Sequence, residues 1–167
     1  MIRLKLGQNK GSQIITDATF KVVSKPFVQM FSIHGFIKGS EGNFKQVPVA
    51  FALMSRRRTR DYEEVLQSVR NHLPDDIPVR KVVLDFEAGM WNASLTIIGD
   101  IKQQGCLFHF TQCIFRHVHR LSLKHAYREV ENIRRYIRKL MSLPFLPADT
   151  ISDAFDRLRA QQQQPEL

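Results

Sequence analysis

A mixed α/β fold, an antiparallel three-strand meander followed by parallel strands with flanking helices, is predicted by three observations. Residues 13–54 hold three β-prone segments separated only by short turns. Residues 61–108 then alternate helical periodicity with short apolar runs, the pattern of right-handed crossovers onto a sheet. Val82, Val83 and Leu84 are continuously apolar, as in a strand covered on both faces, and the run ends in Asp85.

Taken in order, residues 1–12 form a lead-in whose Gly7, Asn9, Gly11 and Ser12 break any pattern. From Gln13 the chain has β character through Val22 and Val23, and Lys25-Pro26 closes the segment. Gln29 to Ile37 predicts a second strand with His34 exposed, residues 39–43 a turn, and Val47 to Met54 a third strand with Pro48 near its start. Asp61, followed three residues later by Glu64, predicts the capped start of a helix through Leu73, with Tyr62, Val65, Leu66, Val69 and Leu73 facing the core. Pro74, Asp75 and Asp76 end it.

Arg80 to Asp85 is the fourth strand, and Glu87 to Ile98 a helix with Met90, Trp91, Leu95 and Ile98 as its apolar content. Trp91 on that face is expected to be a core anchor. Gly99-Asp100 breaks the helix, and Ile101 to Phe108 reads as a fifth strand. From His109 the pattern is helical: Phe110, Ile114, Val118 and Leu121 form one stripe, with His109, Cys113, Arg116 and Arg120 beside it. A helix over 124–141 places Ala126, Val130, Ile133, Ile137 and Leu140 inward and Arg128, Arg134, Arg135, Arg138 and Lys139 outward. Pro144 and Pro147 bracket a linker, Asp149 or Thr150 caps a last helix, and the glutamine-rich residues 161–167 are expected to be disordered.

A chain of 167 residues supports one domain with a full core. No apolar run approaches the roughly 20 residues of a membrane span, so no membrane partner is expected. The polar amino terminus does not read as a secretory signal, which points to an intracellular protein. A net charge of +9 favours polyanionic partners, nucleic acid first.

Two acids stand out against this background. Asp17 lies within an apolar, β-branched segment, where a carboxylate is costly unless paired or bound to metal. Asp85 is either a ligand at a strand end or, like Glu87, a cap on the following helix. If the two strands are neighbours, both carboxylates reach one spot and suit a hard divalent cation, Mg²⁺ or Mn²⁺. The series Cys106, His109, Cys113 and His117 has soft ligand types, but not the spacing of a zinc finger, so packed cysteines are expected rather than zinc.

Five ordered blocks give this arrangement a family context: 16–23 (TDATFKVV), 31–36 (FSIHGF), 53–59 (LMSRRRT), 84–91 (LDFEAGMW) and 105–112 (GCLFHFTQ). Together they resemble the transposase domain of Mutator-like elements over residues 13 to 125. The resemblance implies a ribonuclease-H-like fold for a core spanning 13–123, with 124–160 the start of a helical insertion. It implies metal-dependent DNA strand cleavage and transfer by two aspartates and a glutamate, with DNA rather than a small molecule as substrate. It also implies action in the nucleus, as a homo-oligomer.

Carried over by position, Asp17 and Asp85 are the metal-binding catalytic acids. Cys106 and His109 are the cysteine–histidine element, with His109 placing a phosphate or supporting the site. Arg56, Arg57 and Arg58 at a strand end, with Arg116 and Arg120, are the expected DNA contacts. Glu129, Glu131 and Glu166 follow the element, but none has a matching motif around it. The chain is therefore expected to be a fragment or degenerate copy lacking the third acid and inactive alone, or, in a different class, a domesticated non-catalytic DNA-binding or protein-interaction module.

Overall fold

The computed structural model describes residues 13–39, 41–73 and 79–161. Its elements are β1 (Gln13–Thr19), β2 (Gln29–Lys38), β3 (Phe44–Met54), α1 (Thr59–His72), β4 (Lys81–Leu84), α2 (Ala88–Ile98) and β5 (Lys102–Gly105). Four helices follow: α3 (Leu107–Arg120), α4 (Lys124–Glu129), α5 (Glu131–Ser142) and α6 (Ile151–Gln161). The five strands form one mixed sheet in the order β3-β2-β1-β4-β5. β2 is antiparallel to β1 and β3, and β4 is parallel to β1 and β5. The expected meander and its parallel continuation are both present, with helices flanking the sheet.

Apolar burial explains why β4 holds its place. Val82, Val83 and Leu84 are all buried, the outcome expected of a continuously apolar run. Val82 and Leu84 join Phe31, Ile33 and Met54 of the meander, Tyr62 and Leu66 of α1, and Met90 and Ala93 of α2 in one core. Gly89 lets the first turn of α2 lie directly on the backbone ahead of α1, since a Cβ there would meet the Arg57 carbonyl oxygen at 3.0 Å and the Thr59 nitrogen at 3.2 Å. Pro48 lies in the edge strand β3, opposite His34 where the β2–β3 register shifts. At an edge its missing N–H breaks no interior ladder.

Several boundaries differ from expectation, each for a local reason. β1 stops at Thr19, and Phe20 and Val22 are exposed despite their β propensity. β3 begins three residues early, at Phe44, because β2 pairs with it to the end of the hairpin. His34 is half-buried rather than exposed, its Nε2 3.0 Å from the Ser32 hydroxyl. β5 covers only Lys102–Gly105, and Leu107 and Phe108 already belong to α3. In α2, Ala93 and Ser94 are buried in place of Leu95, which is exposed. The single helix expected over 124–141 is two, broken at Val130, which has extended backbone angles and faces out. Residues 1–12, the Pro74-Asp75-Asp76 helix stop and the tail from 162 lie outside the described residues.

The start of α1 also differs. Arg58, not Asp61, precedes the helix, and Asp61 is the acid three residues on, whose Oδ2 accepts the Arg58 backbone N–H at 2.9 Å. The Arg58 guanidinium forks onto the same carboxylate at 3.1 and 2.9 Å. These side-chain and backbone hydrogen bonds hold the Asp61 carboxyl down, from an ordinary 3.8 to about 2. A depressed folded pKa stabilises above the ordinary value and is lost as pH falls through the folded one. Thermal midpoints of wild type and Asp61→Asn measured from pH 5 to pH 2 are therefore expected to differ at pH 5 and to converge toward pH 2.

The chain divides into two compact units that meet in sequence between Cys106 and Leu107. The second holds α3 to α6. There Phe115 packs edge-on against Tyr127 with ring centres 5.4 Å apart, and α3 and α5 flank an apolar groove of about 540 Å³ lined in part by Ile114, Val118, Ile133 and Ile137.

Candidate functional site

The site is built where β1 and β4 end side by side. Their parallel register pairs Ile14 with Val82 and Ile15 with Val83. Continued two residues, the same offset sets Asp17, two residues short of the end of β1, alongside Asp85, the residue just past β4, toward the carboxyl ends of the strands where polar chemistry collects in α/β sheets. Thr16, buried, donates its hydroxyl to the Val83 carbonyl at 3.3 Å and ties the two strands just below the acids. Asp17 and Asp85, both half-buried, line a small cleft with Thr16, Ala18, Phe31, Tyr62, Glu87 and Met90. Its free volume of about 10 Å³ is the size of one water or one small ion. A larger depression of about 590 Å³ between β3 and α1 contains neither Asp17 nor Asp85.

The turn carrying Asp85 is pinned by its neighbours. Trp91 donates its indole N–H to the Asp85 carbonyl at 2.7 Å, and the Phe86 N–H donates to Asp85 Oδ1 at 2.6 Å. Cys106 N–H donates to the Leu84 carbonyl at 2.7 Å. Trp91 thus packs against the core, as expected, and also orients the acid's backbone. The capping alternative for Glu87 is not realised: α2 starts after Glu87, whose side chain makes no hydrogen bond to the helix's first N–H groups.

Glu87 points elsewhere. Its Oε2 accepts the Tyr62 hydroxyl in a short hydrogen bond, and its Oε1 accepts Arg57 Nη1 at 3.1 Å. Tyr62 in turn accepts Nε2 of the fully buried Gln29 at 2.8 Å. Burial, and after it the bond to Glu87, push the Tyr62 hydroxyl well up, so it remains a donor at neutral pH. Sequence reasoning missed this arrangement because Tyr62 fits the apolar stripe of α1 and Glu87 fits a helix cap. An acid two residues beyond Asp85 was the signal available.

The remaining candidates are distributed over both units. Arg57 is held by Glu87 and lies 5.4 Å from the Phe20 ring centre, and Arg58 is held by Asp61. Arg56 is exposed at the same strand end. His109 lies on α3, edge-on to Phe108, and belongs to the second unit. Arg116 and Arg120 are exposed on the same helix, hydrogen-bonded to Gln112 and His117. Cys106 is half-buried, Cys113 is exposed rather than packed, and both thiols are free. Among the described residues, no group of three or more His, Cys, Asp or Glu is gathered to hold a metal ion.

Residues 13–113, more than half the chain and the stretch containing Asp17, Asp85, Cys106 and His109, match the family model described as the MULE transposase domain. The chain belongs to that family. No curated protein matches it. Membership of the MULE transposase family implies interaction with DNA. Arg116 and Arg120 lie beyond the stretch that matches the MULE domain. Among the described residues, no helix is long and apolar enough to cross a membrane.

Proposed function

We propose that this MULE domain is a ribonuclease-H-like module that contributes Asp17 and Asp85 as divalent-metal ligands for DNA strand cleavage and transfer, acting in the nucleus. The observation that carries the reading is the convergence of the two acids at the ends of adjacent parallel strands. The strand order, with three antiparallel strands before two parallel ones, supports the fold assignment.

The donor set fits Mg²⁺ or Mn²⁺. Both ligands offer hard oxygens, and such ions commonly take only one or two carboxylates, completing their shell with water and phosphate. When bound, the metal supplies Lewis-acid chemistry that activates the attacking oxygen and stabilises the leaving one. The protein's own share is rigidity: the Thr16 bond, Trp91 and the buried β4 hold the carboxylates in place before substrate arrives. Arg56, Arg116 and Arg120 supply backbone contacts to DNA, and His109 is the group that would position a phosphate.

A second reading, a non-catalytic DNA-binding module, is favoured by the absence of a three-ligand group among the described residues. On the first reading, too, the two aspartates are part of a site that requires a third acid, so the chain is expected to be inactive in cleavage by itself. Both readings require backbone binding, which fluorescence anisotropy on a labelled duplex measures. The logarithm of the affinity is expected to fall linearly with log salt, with a slope of about 0.9 per phosphate contacted, and Arg56→Ala, Arg116→Ala and Arg120→Ala are each expected to reduce the slope by about one. Binding that is absent, or indifferent to salt and to all three substitutions, would contradict the assigned interface. Mn²⁺ uptake that requires Asp17 and Asp85 separates the first reading from the second.

A further inference from the structure

We infer that Glu87 is a positioning residue of the metal centre, fixing the Asp85 turn to α1 and adding negative charge beside the cleft. The inference rests on the reading of Asp17 and Asp85 as metal ligands, and goes beyond it by giving a role to a carboxylate that no motif marks.

The geometry carries it. Glu87 lines the same cleft as Asp17 and Asp85, two residues along the chain from Asp85, and its side chain is only 19% exposed. A carboxylate so enclosed needs hydrogen bonds, and each oxygen has one from a different element. Oε2 takes the hydroxyl of Tyr62, a residue of α1 that is 1% exposed and so has little freedom to move. Oε1 takes Arg57, from the loop between β3 and α1. Behind Tyr62, Gln29 of β2 donates to the hydroxyl, leaving the tyrosine's own proton for Glu87. Trp91 holds the Asp85 backbone from the α2 side. The segment 85–87 is therefore clamped from β2 through α1, from the Arg57 loop and from α2, and Asp85 has its position set before any ion arrives.

Glu87 gives α2 no side-chain cap, and its two oxygens are turned instead to Tyr62 and Arg57. Supports of this kind, outside the ligands themselves, typically cost about tenfold to a hundredfold in metal affinity when removed.

The test is Mn²⁺ binding to the full chain, followed by electron paramagnetic resonance, with near-ultraviolet circular dichroism to confirm folding. Glu87→Ala is expected to weaken binding about tenfold and to alter the bound-ion spectrum. Glu87→Gln, which keeps an acceptor for Tyr62 but loses the charge, is expected to recover part of that loss. Tyr62→Phe keeps the ring in the core, removes the hydroxyl, and is expected to shift affinity and spectrum in the same direction. Asp85→Asn is the reference for loss of a ligand. If Asp85→Asn loses Mn²⁺ while Glu87→Ala and Tyr62→Phe keep wild-type affinity and spectrum, the role of Glu87 is overturned and the ligand reading stands. Should Glu87→Ala fail to fold, an unchanged Tyr62→Phe overturns it equally. A wild-type chain that takes up no Mn²⁺ overturns both.

Discussion

Asp85→Asn is expected to lower Mn²⁺ affinity by about a hundredfold or more, since loss of a ligand should cost at least what loss of an outer support costs. The substitution keeps size and shape and removes the charge. The amide oxygen it introduces can still accept the Phe86 N–H that Asp85 Oδ1 accepts, and the indole bond from Trp91 is to the backbone, so the local turn should persist. Asp17→Asn is expected to act in the same direction, because its strand carries it to the same cleft. Isothermal titration of Mn²⁺ into wild type and both variants measures the effect. Variants that bind as wild type does would remove the metal role from these residues.

Leu84→Ala is the substitution with the largest expected effect on stability. Leu84 has no exposed surface, lies on an inner strand and touches the shared core of sheet, α1 and α2. Truncating a leucine in such a place costs about 2–5 kcal/mol, the removed methyl groups plus the cavity they leave. At roughly 2–4 °C per kcal/mol for a chain of this size, the unfolding midpoint should fall by on the order of 10 °C. Calorimetry on the full chain reads this directly. A midpoint within about 2 °C of wild type would mean that β4 is not a buried inner strand.

Comparing the sequence with the fold shows what kinds of information each residue carries. The run Val82–Leu84 announced a buried strand because nothing polar interrupts it, and all three residues are buried. The alternation of strand and helix after residue 60 foretold the parallel part of the sheet for a topological reason, since a parallel neighbour needs a crossover. That Asp17 and Asp85 meet was only conditional in the sequence. It depends on β1 lying beside β4, and no periodicity states which strands pair.

Other features were hidden because they depend on contacts between distant segments or on local breaks. Val130 continues the helical stripe in sequence, yet the chain breaks there, with Arg134 reaching back to the Arg128 carbonyl at 3.0 Å across the break. Leu107 and Phe108 are apolar and read as the end of a strand from Ile101, but the pairing of β5 with β4 ends at Gly105. Within the basic group at 56–58, Arg57 and Arg58 pair with Glu87 and Asp61. The spacing of Arg58 and Asp61 was a legible sign of that ion pair. The destination of Glu87 was not legible, since it depends on a tyrosine 25 residues earlier.

The central claim, that the ends of β1 and β4 hold a divalent ion between Asp17 and Asp85, is tested most directly by anomalous diffraction from crystals soaked in Mn²⁺. One strong peak is expected at the cleft, with a carboxylate oxygen of each aspartate about 2.1 Å away, the distance typical of a small hard cation and oxygen. A peak that contacts neither aspartate, or none at a Mn²⁺ concentration that saturates the ion elsewhere on the protein, would contradict it.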